Sequence, residues 1–195
     1  YTLSLHDALP IFRDTRKITN AMYMISSTKL RKARKSLDDT RPFFRTLREE
    51  IGDIVNQDLV KESRYLRKEP GEYGEDQNRA APGTCGILVI TADRGLAGAY
   101  NQNVIRTALT VMEQNPDHSL FIVGEYGKHY FASHRIPFDE SFQFPDVEPT
   151  LFQARMIAGY IMDRFDRGDL TSVHVIYTDF KNALASQAID LPMLP

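Results

Sequence analysis

Only one cysteine, Cys85, occurs among the 195 residues, so no internal disulfide can staple the fold. A lone thiol beside an apolar run reads as a small buried residue. No apolar stretch approaches the ~20 residues that a membrane-spanning helix needs. A secretory signal is missing too. The opening YTLSLHDALPIF has neither a basic start nor a clean apolar run, and its Leu-Pro step suits the front of a long helix poorly. Residues 1–12 are therefore read as a non-native leader. There are no internal repeats. Chemistry-bearing constellations are equally scarce. The histidines His118, His129, His134 and His174 are scattered, with His6 in the leader. His129 and His134 are five apart, one too many for a shared helix face. No Ser/His/Asp or Cys/His arrangement stands out. The expectation is no catalytic residue, no cofactor and no metal site. His174 reads as a neutral packed residue, Met22, Met24 and Met156 as packing, and Asp163, Asp166 and Asp169 beside Arg164 and Arg167 as a solvated charged face.

Net charge is only −2, yet it is unevenly spread. Arg13, Arg16, Lys17, Lys29, Arg31, Lys32, Arg34, Lys35, Arg41, Arg45 and Arg48 crowd the first quarter, opposed between Arg13 and Glu49 only by Asp14, Asp38 and Asp39. The same stretch, residues 13–55, repeats apolar residues at steps of three and four: Ile18, Met22, Ile25, then Leu30, Ala33, Leu37, then Phe44, Leu47, Ile51, Ile54. That is one stripe on a coiled-coil-like helix about 65 Å long at ~1.5 Å per residue. Pro42 lies inside it, but the stripe stays in phase across the proline, which favours one continuous or gently kinked helix. A rod of that length needs a partner helix, and no second signal of matching length exists here. Its cations fit a solvated coiled-coil face, a nucleic acid or acidic protein loops. No base-reading motif is visible in it.

Residues 69–84 are rich in glycine, proline and polar residues and read as a linker. An alternating pattern follows. GILVITA at 86–92 has the unbroken apolar character of a strand buried on both faces. Residues 99–114 are helical, with Val104, Ala108, Leu109 and Met112 on one side. Residues 119–124 are a second strand and 125–134 a second helix. Phe142 and Phe144 alternate as in a short edge strand. Residues 150–167 form a helix whose inner face is Leu151, Ala154, Ile157, Ala158, Ile161 and Phe165. Residues 171–178 are a strong strand, 182–189 a further one, and LPMLP a turn-like end. Strands alternating with helices imply right-handed crossovers and a mostly parallel sheet. The DRGLAG turn at 93–98 could feed an anion to a helix N-terminus. Its spacing fits no dinucleotide fingerprint, no Walker Lys-Ser/Thr follows, and a tight turn with Asp93 near the helix start explains it as well.

TRKITNAMYMISSTKLRKA at 15–33 closely resembles the N-terminal helix of the gamma subunit of bacterial F-type ATP synthase. TRPFFRTL at 40–47 resembles that family's Arg-Pro-aromatic step, and ILVITADRGLAGAYNQNVIR at 87–106 its strand, Asp-Arg-Gly-Leu turn and helix. The resemblance runs from about Asp14 to the end. It implies a central rotor shaft that catalyses nothing itself. Its first and last helices would form an antiparallel coiled coil inside a ring of alpha and beta subunits. Its α/β domain would stand at the foot, against the epsilon subunit and the c-ring, on the cytoplasmic side of the inner membrane. Partner contacts implied for this chain are Met22, Lys29, Arg31, Lys32, Arg34 and Lys35 on the rod and Asp93 and Arg94 in the turn, with no nucleic acid. The family often carries cysteine where this chain has Ala97, so no thiol is needed there. Its second long helix has no counterpart in this sequence, which then reads as an N-terminal fragment.

The expected architecture is thus α/β: a long N-terminal coiled-coil helix over 13–68, a linker over 69–84, and a small Rossmann-like α/β domain over 85–195 with a mostly parallel sheet. The competing expectation is an α/β nucleotide-binding enzyme with a basic nucleic-acid-binding helix.

Overall fold

The computed structural model describes residues 5–55, 63–65, 84–95, 97–144, 150–182 and 185–195. The chain divides into two compact units, Tyr1–Lys61 and Glu62–Pro195. The described residues of the first form a single helix, α1 (Leu5–Val55), 51 residues long. It runs through both Pro10 and Pro42, so the Leu-Pro step that was expected to sit badly before a helix lies inside one. Each proline removes one backbone bond, and a long ladder on either side tolerates the loss. Thr15, Thr19, Thr28 and Thr40 fold their hydroxyls back onto carbonyls one turn earlier, at 2.7–2.9 Å, which satisfies these polar groups on the helix itself. Of the span expected to continue the helix to residue 68, Arg64 and Tyr65 form a turn. The expected linker lies outside the described residues apart from Thr84.

The second unit is a four-stranded sheet with helices on both faces. Its elements are β1 (Cys85–Ile90), α2 (Tyr100–Gln114), β2 (His118–Val123), α3 (Glu125–Ser133), α4 (Leu151–Asp166), β3 (Ser172–Asn182) and β4 (Ala185–Leu194). The strand order is β2-β1-β3-β4. β1 pairs parallel with both neighbours, whereas β4 runs antiparallel to β3. Alternation along β1 builds two cores. Ile87 and Val89 pack with Val104, Ala108, Ile122 and Phe131 on the α2/α3 side. Leu88 packs with Phe121, Phe142, Ile161, Phe165 and Val173 on the α4 side. Full burial of side chains this size stabilises by about 1.5–3 kcal/mol each, which makes β1 the keel of the unit. Cys85 is buried, as its sequence context implies, and burial pushes its thiol pKa up.

Four local expectations change. LPMLP is not a turn: Leu191 to Leu194 continue β4, with Pro192 opposite His174. An edge strand tolerates a proline that a central strand would not. His174 is not simply packed, since its Nδ1 lies 2.8 Å from the Asp190 carboxylate across the β3–β4 pair. Phe142 and Phe144 lie in irregular chain rather than a strand. Phe142 is buried among Phe121, Phe144 and Tyr160 at centroid distances of 4.6–5.4 Å, so an aromatic cluster replaces ladder pairing. In α4 a capping box between Thr150 and Gln153 starts the helix, but only Ile161 and Phe165 of the expected inner face are buried. Leu151 is 69% exposed, and Met156, like Met22 and Met24 on α1, is exposed. The N-terminal half of α4 stands over an apolar cavity of about 580 Å³ between Leu88, Ile90, Ile157 and Val175.

The carboxylates at the end of α4 are partnered rather than merely solvated. Asp166 accepts from the Tyr65 hydroxyl at 2.8 Å and pairs with Arg64, and Asp163 pairs with Arg167. Asp139 accepts from the Ser141 N–H at 2.9 Å and the Tyr160 hydroxyl at 2.9 Å, and pairs with Arg164. Burial raises the Asp139 carboxyl, but these hydrogen bonds and the Arg164 charge outweigh it and hold the group below its ordinary value. A depressed folded-state pKa contributes stability above the ordinary carboxylate range, near pH 4, and loses it as pH falls through the folded value. Asp139→Asn is expected to cost ~1–3 kcal/mol at neutral pH and to flatten the acid limb of stability below about pH 4, as read by urea denaturation across pH.

Candidate partner-binding surfaces

Two surfaces carry the residues that the sequence singled out. The first is α1. Its stripe residues Ile18, Met22, Ile25, Leu30, Leu37, Phe44, Leu47, Ile51 and Ile54 are all exposed, from 39% at Leu37 to 62% at Ile18 and Phe44. Lys29, Arg31, Lys32, Arg34 and Lys35 are exposed as well. They do not share a face. At roughly 100° of rotation per residue, Lys29 falls on the apolar stripe, Lys32 at its border, and Arg31, Arg34 and Lys35 on the far side. The five form a cationic collar rather than a basic stripe. Downstream the charge is offset within the helix: Asp38 lies 4.0 Å from Arg34 and 3.8 Å from Arg41, and Arg45 lies 3.5 Å from Glu49. Exposed pairs of this kind contribute ~0–1 kcal/mol.

The second surface is the junction of β1 with α2. Successive residues leaving β1 are each held by hydrogen bonds. The Thr91 N–H donates to the Val123 carbonyl at 2.9 Å, and the Thr91 hydroxyl oxygen accepts from the Gly127 N–H at 3.0 Å. The Ala92 carbonyl accepts from the Tyr126 N–H at 3.2 Å, and the Ala92 N–H donates to the Asn101 Oδ1 at 2.9 Å. Asp93 does not serve the start of α2. Its carboxylate accepts from the Glu125 N–H at 3.4 Å, at the first turn of α3, where a helix terminus favours negative charge. The Arg94 carbonyl accepts from the Asn101 Nδ2 at 3.4 Å. Asp93 and Arg94 are exposed, whereas Asn101 is only 3% exposed. Burial pushes the Tyr100 phenol above its ordinary value, so it stays neutral beside this turn.

Two glycines permit this closeness. Gly124 has φ 98°, and a Cβ there would lie 2.3 Å from the Thr91 carbonyl oxygen. At Gly127 a Cβ would lie 2.7 Å from the Thr91 hydroxyl. The sequence motif flagged Asp93, Arg94 and the turn glycines. It missed the Gly124/Gly127 pair, whose partner Thr91 lies far away in sequence, and Asn101, although both of its partners, Ala92 and Arg94, lie within the same motif. Among the described residues no group of three or more His, Cys, Asp or Glu could hold a metal, and no described helix is long and apolar enough to cross a membrane.

A long exposed amphipathic helix followed by a small α/β sheet is the fold of ATP synthase central-stalk chains. The likeness reaches a TM-score of 0.64 against a chain of the Tetrahymena thermophila mitochondrial ATP synthase central stalk/c-ring structure, at 21% identity over 91% of this chain and 72% of that one. A chain of the Euglena gracilis mitochondrial ATP synthase gives 0.58, at 17% identity over 97% of this chain and 56% of that one. Sequence carries the assignment further. The family model for ATP synthase matches residues 6–195. The ATP synthase gamma chains of Acetivibrio thermocellus and Caldanaerobacter subterraneus subsp. tengcongensis are 31% and 33% identical over 94% of this chain. The chain belongs to the ATP synthase gamma chain family. It spans 59% of the length of each of those two relatives.

Gly124→Ala is expected to destabilise by roughly 2–5 kcal/mol, because a positive φ and an occupied Cβ position are both unfavourable. Gly52→Ala, where a Cβ meets nothing within 4 Å, is the matched control and should hold or raise stability. Chemical denaturation of the two variants checks the contrast.

Proposed function

We propose that the chain is part of the central-stalk rotor of an F-type ATP synthase, coupling proton translocation mechanically to ATP synthesis or hydrolysis in the alpha/beta hexamer. The observation that carries this is α1: a 51-residue helix whose apolar stripe is exposed along its length, in a chain of the gamma family. In this reading the protein catalyses nothing and binds no cofactor. Its partners are the alpha and beta subunits around the rod, and the epsilon subunit and c-ring at the foot. It sits peripherally at the cytoplasmic side of the inner membrane. A shaft must resist twist, which a paired helix does and a lone one does not.

It must also pass chemically identical neighbours without sticking. The collar of Lys29, Arg31, Lys32, Arg34 and Lys35 suits that task, because each screened contact to an acidic loop is worth ~0–1 kcal/mol and breaks readily. Arg31, Arg34 and Lys35, with Lys32 at the border, spread charge over the part of the rod outside the apolar stripe, on which Lys29 lies. Met22 belongs to the seam beside it, and the turn of Asp93 and Arg94 faces the same beta subunits. The rival reading, an enzyme binding nucleotide at the strand ends, is disfavoured by Asp93, whose carboxylate already lies against the α3 terminus and would repel phosphate.

The test is reconstitution of the full-length gene product with alpha and beta subunits, with rotation and ATP hydrolysis followed together. Co-assembly and rotation are expected. Failure to copurify with the hexamer, or direct ATP binding by the isolated chain, overturns the reading. Replacing the five collar cations with glutamine should slow hydrolysis about two- to ten-fold at low salt and much less at high salt, since added ions screen such contacts.

A further inference from the structure

We propose that Asn101 is a positioning residue that presents Arg94 to an acidic partner surface, and that Asp93 is a brace of the same turn rather than a contact. The inference rests on the reading of this turn given above and narrows it to one outward side chain.

Asn101 carries an amide yet is 3% exposed, and a buried amide is costly unless its groups are bonded. Both ends are used. Its Oδ1 accepts from the Ala92 N–H and its Nδ2 donates to the Arg94 carbonyl, so one side chain grips the backbone on either side of Asp93. From the opposite side the Asp93 carboxylate accepts from the Glu125 N–H at the first residue of α3. A carboxylate used there is turned to its own protein, and its charge would repel an acidic loop. Arg94 remains: exposed and without an ion pair among the described residues. Its backbone is fixed before any partner arrives. Contact then orders only the arginine side chain, which lowers the entropic cost of each encounter. That property suits a contact made and broken repeatedly.

The experiment is a double-mutant cycle in the full-length protein reconstituted with alpha and beta subunits. ATP hydrolysis is measured at low and high salt, and thermal unfolding is measured for each variant. Arg94→Ala should lower the low-salt rate about two- to five-fold, the range of an exposed charge contact. Asn101→Ala should lower it less, and the double variant should match Arg94→Ala alone. Asn101→Asp keeps an acceptor for Ala92 but has no donor for the Arg94 carbonyl. It should behave like Asn101→Ala, and it supplies the cycle if the alanine variant does not fold. Asp93→Ala should likewise be silent once Arg94 is removed. Additive losses from Asn101 and Arg94 would make Asn101 a purely structural residue and overturn the proposal. A wild-type rate in Arg94→Ala overturns it while leaving the rotor reading intact. Failure of the wild-type chain to assemble removes the rotor reading, and this inference with it.

Discussion

A lone α-helix satisfies its backbone but cannot bury a stripe that runs along its own outside. That constraint governs α1. Nine large apolar side chains from Ile18 to Ile54 lie on one side of a single rod and are exposed. Isolated helices draw little stability from propensity, so a rod of this length takes its stability from whatever second surface covers the stripe. Lys29, on the apolar side, adds a second consequence. A charged residue in such a seam lowers stability but helps to fix which register the partner adopts.

The α/β unit answers the same problem differently. β1 is buried on both faces, and its emerging residues are pinned one after another to β2, α3 and α2. The result is a hydrogen-bonded platform that carries an exposed arginine, Arg94. The rod likewise has a regular backbone, with exposed cations on the sides that the apolar stripe leaves. Both place exposed charge on a regular hydrogen-bonded backbone.

Much of the fold was legible because its strongest signals are local. The apolar runs of β1, β2 and β3, the amphipathic period of α2 and the in-phase stripe of α1 each announce themselves within a short window. What was hidden depends on partners far away in sequence. Phe142 alternates with Phe144 like a strand residue, but Phe121 and Tyr160 decide its place. Leu151 has the period of an inner helix face, yet α4 buries only Ile161 and Phe165, with Ile157 half-buried beside them. Pro192 reads as a turn until β4 is seen to be an edge strand. Among the residues expected to meet partners, the collar cations were found as a cluster in sequence, but helical rotation disperses them. Asp93 was flagged by its motif while its α3 partner was not, since Glu125 lies 32 residues downstream.

Cys85 has a practical consequence. The thiol lies in the keel of the sheet, and burial keeps it protonated and unreactive. With no other cysteine among these 195 residues, this span is in effect a thiol-silent background. A single cysteine introduced on the rod or beside Arg94 could then carry a fluorophore, a spin label or a surface tether at one known point, with no need to remove the native residue.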